Sequence, residues 1–108
     1  MIARVWSAQA TPAQAPAYAR HLRGQVLPAL RQVPGYAGAK LLERPLAGAV
    51  EVVVITFWES AEAVQRFAGA DREAAVVAEE AAALLTQFDR RVRHYEVVVE
   101  DGKGEPGP

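Results

Sequence analysis

The sequence contains no cysteine and no asparagine, and serine is scarce. Without cysteine the chain has no disulfide, zinc–thiolate site, iron–sulfur cluster or thiol nucleophile. Its serines, Ser7 and Ser60, both lack the G-x-S-x-G context of a hydrolase nucleophile. Its histidines, His21 and His94, have no metal-ligand spacing around them. We therefore expect no metal and no other cofactor.

An excess of charge of one sign is also absent, because 12 lysines and arginines face 13 acidic residues for a net charge of -1. A near-neutral chain does not attract a phosphate backbone, so we expect no nucleic-acid partner. No apolar run approaches the roughly 20 residues of a membrane-spanning helix, and the N-terminal residues do not form a secretion signal. The sequence thus predicts a cytoplasmic protein without a membrane partner.

The chain does contain enough apolar residues, 51% of 108, to build one domain with its own core. We place that domain at residues 1–99. Residues 100–108 hold only glycine, proline, lysine and acidic residues. They offer no apolar side chain to bury, so we expect them to form a flexible tail.

Two helices are predicted, each with its own start signal. Thr11 begins the first helix with a capping sequence; Pro28 should bend its last turn, and Gly35 follows its end. Ser60 caps a second, shorter helix. The alanine-rich stretch 71–88 adds one or two helical turns.

Four strands complete the pattern, in the overall order strand, helix, strand, strand, helix, strand. This order is that of a split βαβ unit, an α+β fold with a four-stranded antiparallel sheet and helices on one face. The predicted strands are Ile2–Ala8, Tyr36–Arg44, Val50–Trp58 and Arg91–Val99, with residues 45–49 as the hairpin loop.

The third strand is apolar on both faces, with Val53, Ile55 and Phe57 opposite Val52, Val54 and Trp58. An antiparallel sheet normally exposes one face to water and shows polar residues there. One helical layer covers only one face, so the other needs a partner. A second copy of the chain is the simplest one, and we predict a homodimer.

Trp58 ends this strand just before the helix cap, where an indole offers a stacking face and one N–H donor to a pocket. A tryptophan on a hydrophobic strand is equally often a core residue. Trp6 shares a strand face with Arg4, which favours either an anion subsite or cation–π stack in a pocket. The alternative for Arg4 is an ion pair with an acid such as Glu96 at the domain rim.

Histidine is the side-chain type that changes charge near neutral pH, so both histidines are candidates for proton transfer. His94 lies in the middle of the last strand, where it could act as a general base or orient a phenol. A hydrogen-bonded structural histidine in a dimer interface is the alternative. His21 lies beside Arg20 and Arg23, which favours a surface or half-buried position.

Several segments are informative when they are taken together. They are Ile2–Trp6, Leu27–Leu30, Pro34–Gly38, Thr56–Ser60, Phe67–Gly69 and His94–Val97. With them the chain resembles the antibiotic biosynthesis monooxygenase family, within the dimeric α+β barrel superfamily. The resemblance covers about residues 1–99 and is most specific at Trp58, followed by the Ser60 helix cap. It implies a ferredoxin-like protomer, a homodimer whose two sheets face each other, and a pocket between sheet and helices.

The family's chemistry carries over only in part. Trp58 matches the pocket tryptophan, but Val54 stands where the quinone-forming oxygenases have an asparagine. Haem-degrading members combine a first-strand asparagine with a histidine about ten residues after the tryptophan. This chain has Trp6 or Ser7 at the first position and no histidine near Ala68.

The resemblance implies a cofactor-independent monooxygenase that acts on a small phenol- or quinol-like aromatic with oxygen as oxidant. Trp58 and Trp6 would form pocket walls with Tyr18 and Val54, and His94 or Arg4 would orient the substrate, with His94 as the candidate catalytic residue. Two alternatives stay open. One is a non-catalytic dimeric domain that binds a small ligand or serves in stress response, and the other is a structural dimer with a closed pocket.

Overall fold

The computed structural model of the chain describes residues 1–102, so residues 103–108 of the predicted tail lie outside the described residues. The elements follow the predicted order. One helical turn forms at 79–82 within the stretch 71–88, as predicted, whereas residues 87–88 of that stretch form an additional short strand before the last one. The strands are β1 (Ile2–Ala10), β2 (Tyr36–Leu46), β3 (Ala49–Trp58), β4 (Gln87–Phe88) and β5 (Arg93–Glu96). The helices are α1 (Ala15–His21), α2 (Leu27–Leu30), α3 (Ala61–Ala68) and α4 (Glu79–Ala82).

All strands join one antiparallel sheet. Its order is β2-β3-β1, and both β4 and β5 pair with the free edge of β1. The helices cover one face, as the ferredoxin-like α+β fold requires. The hairpin between β2 and β3 is tighter than predicted, because the strands pair as far as Leu46 and Ala49 and leave only Ala47 and Gly48 in the turn.

The burial of side chains alternates along β3 and shows which face of the sheet meets the helices. Val52, Val54, Thr56 and Trp58 are buried, whereas the residues between them are only half-buried. The half-buried side belongs to a face that the helices leave uncovered, which we call the open face. Its apolar members are Ala3 and Val5 of β1, Leu42 of β2, Val53, Ile55 and Phe57 of β3, and Tyr95 of β5, and Lys40 and Arg93 share this face as the partners of Ile55 and Val5.

The first helix is interrupted where the sequence predicts only a bend. Between α1 and α2 lies a π-helical turn, Leu22–Val26, in which the N–H of Leu27 bonds to the carbonyl of Leu22. Pro28 has no N–H, so the α-helical ladder is broken there. The π-helical turn lies just before this break in the helix. Such turns are frequent at functional sites. Helix α1 starts after Thr11, whose hydroxyl accepts from the N–H of Gln14.

The last strand is shorter than the predicted Arg91–Val99 and is preceded by β4. The N–H of Asp89 still bonds to the carbonyl of Ser7 in β1, but residues 90–92 bond to another segment instead. The N–H of Val92 bonds to the carbonyl of Glu73, and the N–H of Ala75 bonds to that of Arg90. This pairing fixes residues 73–75, and the carbonyl of Ala74 accepts from the Arg4 guanidinium.

Candidate functional site

A small cavity lies between the first helix and the covered face of the sheet. It encloses about 80 Å³. A wider apolar groove of about 650 Å³ opens beside it, and the two share His21, Val26, Leu30, Phe67, Val76 and Ala78 as lining residues. The enclosed part is also lined by Arg4, Trp6, Tyr18, Leu22, Val54, Thr56, Val77, Ala81 and Val92. Four of the predicted pocket residues, Arg4, Trp6, Tyr18 and Val54, therefore lie around one space.

Trp58 does not line this cavity. Its side chain is 0% exposed, and its indole N–H donates to the Thr56 hydroxyl at 2.8 Å. The ring stacks on Phe67 at 5.4 Å between centroids and meets Tyr36 edge-on at 5.5 Å. Trp58 thus stands behind two lining residues, Thr56 and Phe67, and fixes their positions.

Trp6 and Tyr18 form the aromatic end of the cavity, with their ring centroids 6.1 Å apart. The Trp6 indole N–H donates to the carbonyl of Asp89 at 2.8 Å, which orients the ring. Burial raises the pKa of Tyr18 to about 12. The Tyr18 phenol is therefore neutral across the physiological range and can act only as a hydrogen-bonding wall, not as a base.

Arg4 is 5% exposed and points into the helix-covered side of the sheet. Its guanidinium donates to the carbonyls of Arg72 and Ala74, the latter at 2.7 Å, and lies 5.4 Å from the Phe67 ring centroid. The predicted pair with Glu96 does not form, because β5 places His94 rather than Glu96 opposite Arg4. Glu96 instead faces the N-terminal amine at 3.9 Å.

His94 lies on the far side of Arg4, outside the cavity. Its Nε2 is 3.0 Å from Nη1 of Arg4, and because the guanidinium only donates, Nε2 accepts and the proton is assigned to Nδ1. Burial and the neighbouring Arg4 charge lower the pKa of His94. His94 lines a separate cleft of about 400 Å³ together with Arg72, Glu73 and others. His94, the catalytic candidate predicted from the sequence, therefore contacts Arg4 but does not line the cavity.

His21 is the histidine that reaches the cavity. Its Nε2 is buried and has no hydrogen-bond partner among residues 1–102, and its ring lines both the enclosed cavity and the groove. The ring centroid lies 6.5 Å from that of Tyr18. A sequence signal for this was present, since His21 follows Tyr18 by three residues and so shares its side of the helix.

Neither a metal cluster nor a membrane span is found in the part of the chain that the structure describes. No group of three or more histidine, aspartate or glutamate side chains lies close enough there to hold a metal ion. Within the same residues, no helix has the length and apolar character needed to cross a bilayer.

Comparison with known proteins assigns the chain to a family. The antibiotic biosynthesis monooxygenase family model matches residues 1–79. Similar solved structures include the heme-degrader MhuD of Mycobacterium tuberculosis, solved with two hemes bound, at 28% identity and a TM-score of 0.63 over 94% of this chain and 100% of that one. A putative antibiotic biosynthesis monooxygenase of Bacillus cereus has 17% identity and a TM-score of 0.68 over 94% and 95%.

The monooxygenase ActVA-Orf6 of Streptomyces coelicolor, solved with nanaomycin D, has 24% identity and a TM-score of 0.59 over 87% of this chain and 82% of that one. No curated protein matches the chain. The structures under 25% identity show a shared fold alone. The family model, however, spans well over half of the sequence, and on that ground the chain belongs to the antibiotic biosynthesis monooxygenase family.

Proposed function

We propose that the protein is a cofactor-independent monooxygenase that oxidises a small phenol- or quinol-like aromatic held between the first helix and the sheet. The observation that carries this proposal is the His21 ring, which has a buried Nε2 without a hydrogen-bond partner among residues 1–102 and lines a cavity that Arg4 also lines. A free imidazole nitrogen is a proton acceptor, and a neighbouring cation favours the anion that proton removal creates.

The chemistry then needs only the substrate and oxygen. The hydroxyl of a hydroquinone transfers its proton to His21 Nε2, and the electron-rich anion gives electrons to O2 while a carbon–oxygen bond forms on the ring. Loss of water leaves a hydroxyquinone, so one oxygen atom enters the product and the other leaves as water. Four electrons leave the ring and four reduce O2, which balances the reaction without a cofactor.

The cavity alone is too small for a haem, and the groove of about 650 Å³ beside it has no histidine at the position that the resemblance gives for the haem ligand. Pockets for drug-sized ligands measure roughly 300 to 1,000 Å³, and the enclosed space here is about 80 Å³. The resemblance places the haem-degrading histidine near Ala68, where the Phe67 ring instead packs against Trp58. A single aromatic ring fits this site better, with its polar group in the cavity and its apolar body in the groove.

A binding domain without catalysis is the second candidate, and Val54 favours it. This valine lines the cavity at the position where the quinone-forming members have an asparagine. An apolar side chain there offers no hydrogen bond to an oxidised intermediate. Such a domain would hold a small aromatic or acyl ligand without changing it.

The two histidines give a matched test of the catalytic role. Oxygen uptake and 18O2 incorporation would be measured with hydroquinone and anthrone-type substrates, against the autoxidation rate without protein. We expect His21→Gln to lower kcat by about 100-fold or more, the usual contribution of a general base, and His94→Gln to lower it less. The reverse order would instead support His94 as the catalytic residue.

Turnover and binding are separated in the same experiment. If no hydroquinone or anthrone is oxidised above the autoxidation rate while aromatic ligands raise the melting temperature, the binding domain is the correct function. If neither turnover nor a thermal shift is seen, both functions of this cavity are excluded.

We also propose that the protein is a homodimer joined through the open face. That face presents Leu42, which is 47% exposed, and Tyr95, which is 52% exposed, beside the half-buried apolar side chains of β3. Exposed apolar patches of this kind mark association surfaces. Relatives in this family are typically dimeric, which agrees with this use of the sheet.

The oligomeric state would be measured by light scattering at micromolar concentration. We expect a dimer for the wild type and for Glu43→Gln, whose side chain lies on the other face of β2. Leu42→Glu should give a monomer, because it places a charge among the apolar side chains of that face. A monomeric wild type would refute the proposal.

A further inference from the structure

Arg4 carries a buried positive charge that no carboxylate neutralises among residues 1–102. The ion pairs of the described chain join other groups, namely Met1, Arg44 and Arg91 with their acidic partners. Around Arg4 the partners are two backbone carbonyls, one imidazole nitrogen and the face of Phe67. All of these are neutral. Buried charges in proteins are normally paired, so this arrangement calls for an explanation.

The guanidinium also keeps hydrogen-bonding capacity toward the cavity. Its five N–H groups form a fixed fork, and the hydrogen bonds within residues 1–102 use only Nη1 and Nη2. The Nε–H has no acceptor there. Arg4 lines the cavity, so a ligand oxygen bound there lies beside a cation whose hydrogen-bonding capacity is not used up.

The two parts of the site differ in character. The enclosed cavity of about 80 Å³ has Arg4 and Thr56 in its wall. The groove of about 650 Å³ is walled mainly by Val26, Ala29, Leu30, Phe67 and Val76, with His21, Gln25 and Glu80 beside them. The polar space is large enough for a carboxylate or a single oxygen substituent, and the apolar groove is large enough for a ring. A ligand that matches both is an aromatic ring that carries an anionic group.

We infer that the site binds small aromatic anions, with an ionised oxygen of the ligand on the Arg4 guanidinium and the ring in the groove beside Phe67. The inference deepens the proposed function, on which it rests for the aromatic nature of the ligand. It concerns binding and charge alone, so it does not require that the ligand be oxidised.

Benzoate and benzamide make a matched pair of probes, because they share size and ring and differ in charge. Their dissociation constants would be measured by isothermal titration calorimetry at pH 7. We expect the wild type to bind benzoate at least about tenfold more tightly than benzamide, since only benzoate adds the attraction of opposite charges to the hydrogen bonds from the guanidinium.

Three variants locate the effect. Arg4→Met should bind benzoate and benzamide equally, and Arg4→Lys, which keeps the charge, should retain a preference for benzoate. Arg23→Met makes the same change at an exposed arginine of the π-helical turn and should keep the wild-type preference. This control removes the general attraction of anions to a basic surface.

Equal binding of both probes by the wild type, or no binding of either, would overturn the inference even if Arg4→Met does not fold. An unchanged preference in a folded Arg4→Met would overturn it as well. A charge preference without any turnover of hydroquinones would support the inference while the proposed oxygenase fails. Turnover of hydroquinones without a preference for benzoate would support the proposed oxygenase and overturn the inference.

Discussion

Replacing Thr56 with valine should destabilise the protein, because the Trp58 indole N–H loses its acceptor. The donor and acceptor are 2.8 Å apart, Trp58 is 0% exposed and Thr56 is 7% exposed, so water does not readily replace the hydroxyl. Valine has nearly the same shape as threonine and leaves no cavity. The cost is therefore that of one buried unsatisfied donor, about 1 to 3 kcal/mol.

For a domain of roughly 100 residues, 1 kcal/mol corresponds to about 4 to 8 °C in the melting temperature. We expect a fall of at least about 4 °C, measured by differential scanning calorimetry at one protein concentration. Thr86→Val is the matched control, since the Thr86 hydroxyl donates to the Gln9 carbonyl at an exposed position. If Thr56→Val and Thr86→Val melt at the same temperature, the buried hydrogen bond from Trp58 to Thr56 does not contribute the expected stability.

Two further predictions concern pH and backbone strain. Burial raises the pKa of Tyr18 to about 12, so the folded state keeps a proton that the unfolded state loses near pH 10. Relative to Tyr18→Phe, the free energy of unfolding should fall by about 2 kcal/mol between pH 10 and 12, measured by urea denaturation. Gly35→Ala should destabilise by about 2 kcal/mol, because Gly35 has φ +93° and an added Cβ would lie 2.4 Å from that of Ala63. Gly24→Ala should instead stabilise by about 0.5 kcal/mol in the same assay, since an added Cβ there meets nothing within 4 Å.

The parts of the fold that local chemistry determines could be predicted from the sequence. Apolar residues on both faces of β3 indicated a strand with one face under helices and another beyond their reach, and the burial along β3 alternates accordingly. Ser60 was predicted to cap a helix, and its hydroxyl accepts from the N–H of Ala63 at 3.1 Å. In both cases the deciding interaction joins residues close in the chain.

The parts that depend on distant partners could not be predicted. Nothing near Arg90 shows that residues 90–92 will bond to residues 73–75 and so shorten the last strand. Periodicity describes one element at a time, and this feature arises where two segments meet. The position of Pro28 indicated a disturbance in the helix, but not a π-helical turn before the proline.

The positions of the two histidines also depend on contacts between distant segments, and they bear directly on the proposed function. His94 was the catalytic candidate because it lies in the middle of a predicted strand, whereas His21 beside Arg20 and Arg23 was expected at a surface or half-buried position. The register of β5 on β1 places His94 opposite Arg4, where its Nε2 is already occupied. A proton acceptor needs a free lone pair, and the Nε2 of His21 has no hydrogen-bond partner among residues 1–102. In the proposed function, His21 on the helix and Arg4 on β1 take the place of the asparagine that this chain lacks, and their placement follows from contacts between elements that no single segment of the sequence encodes.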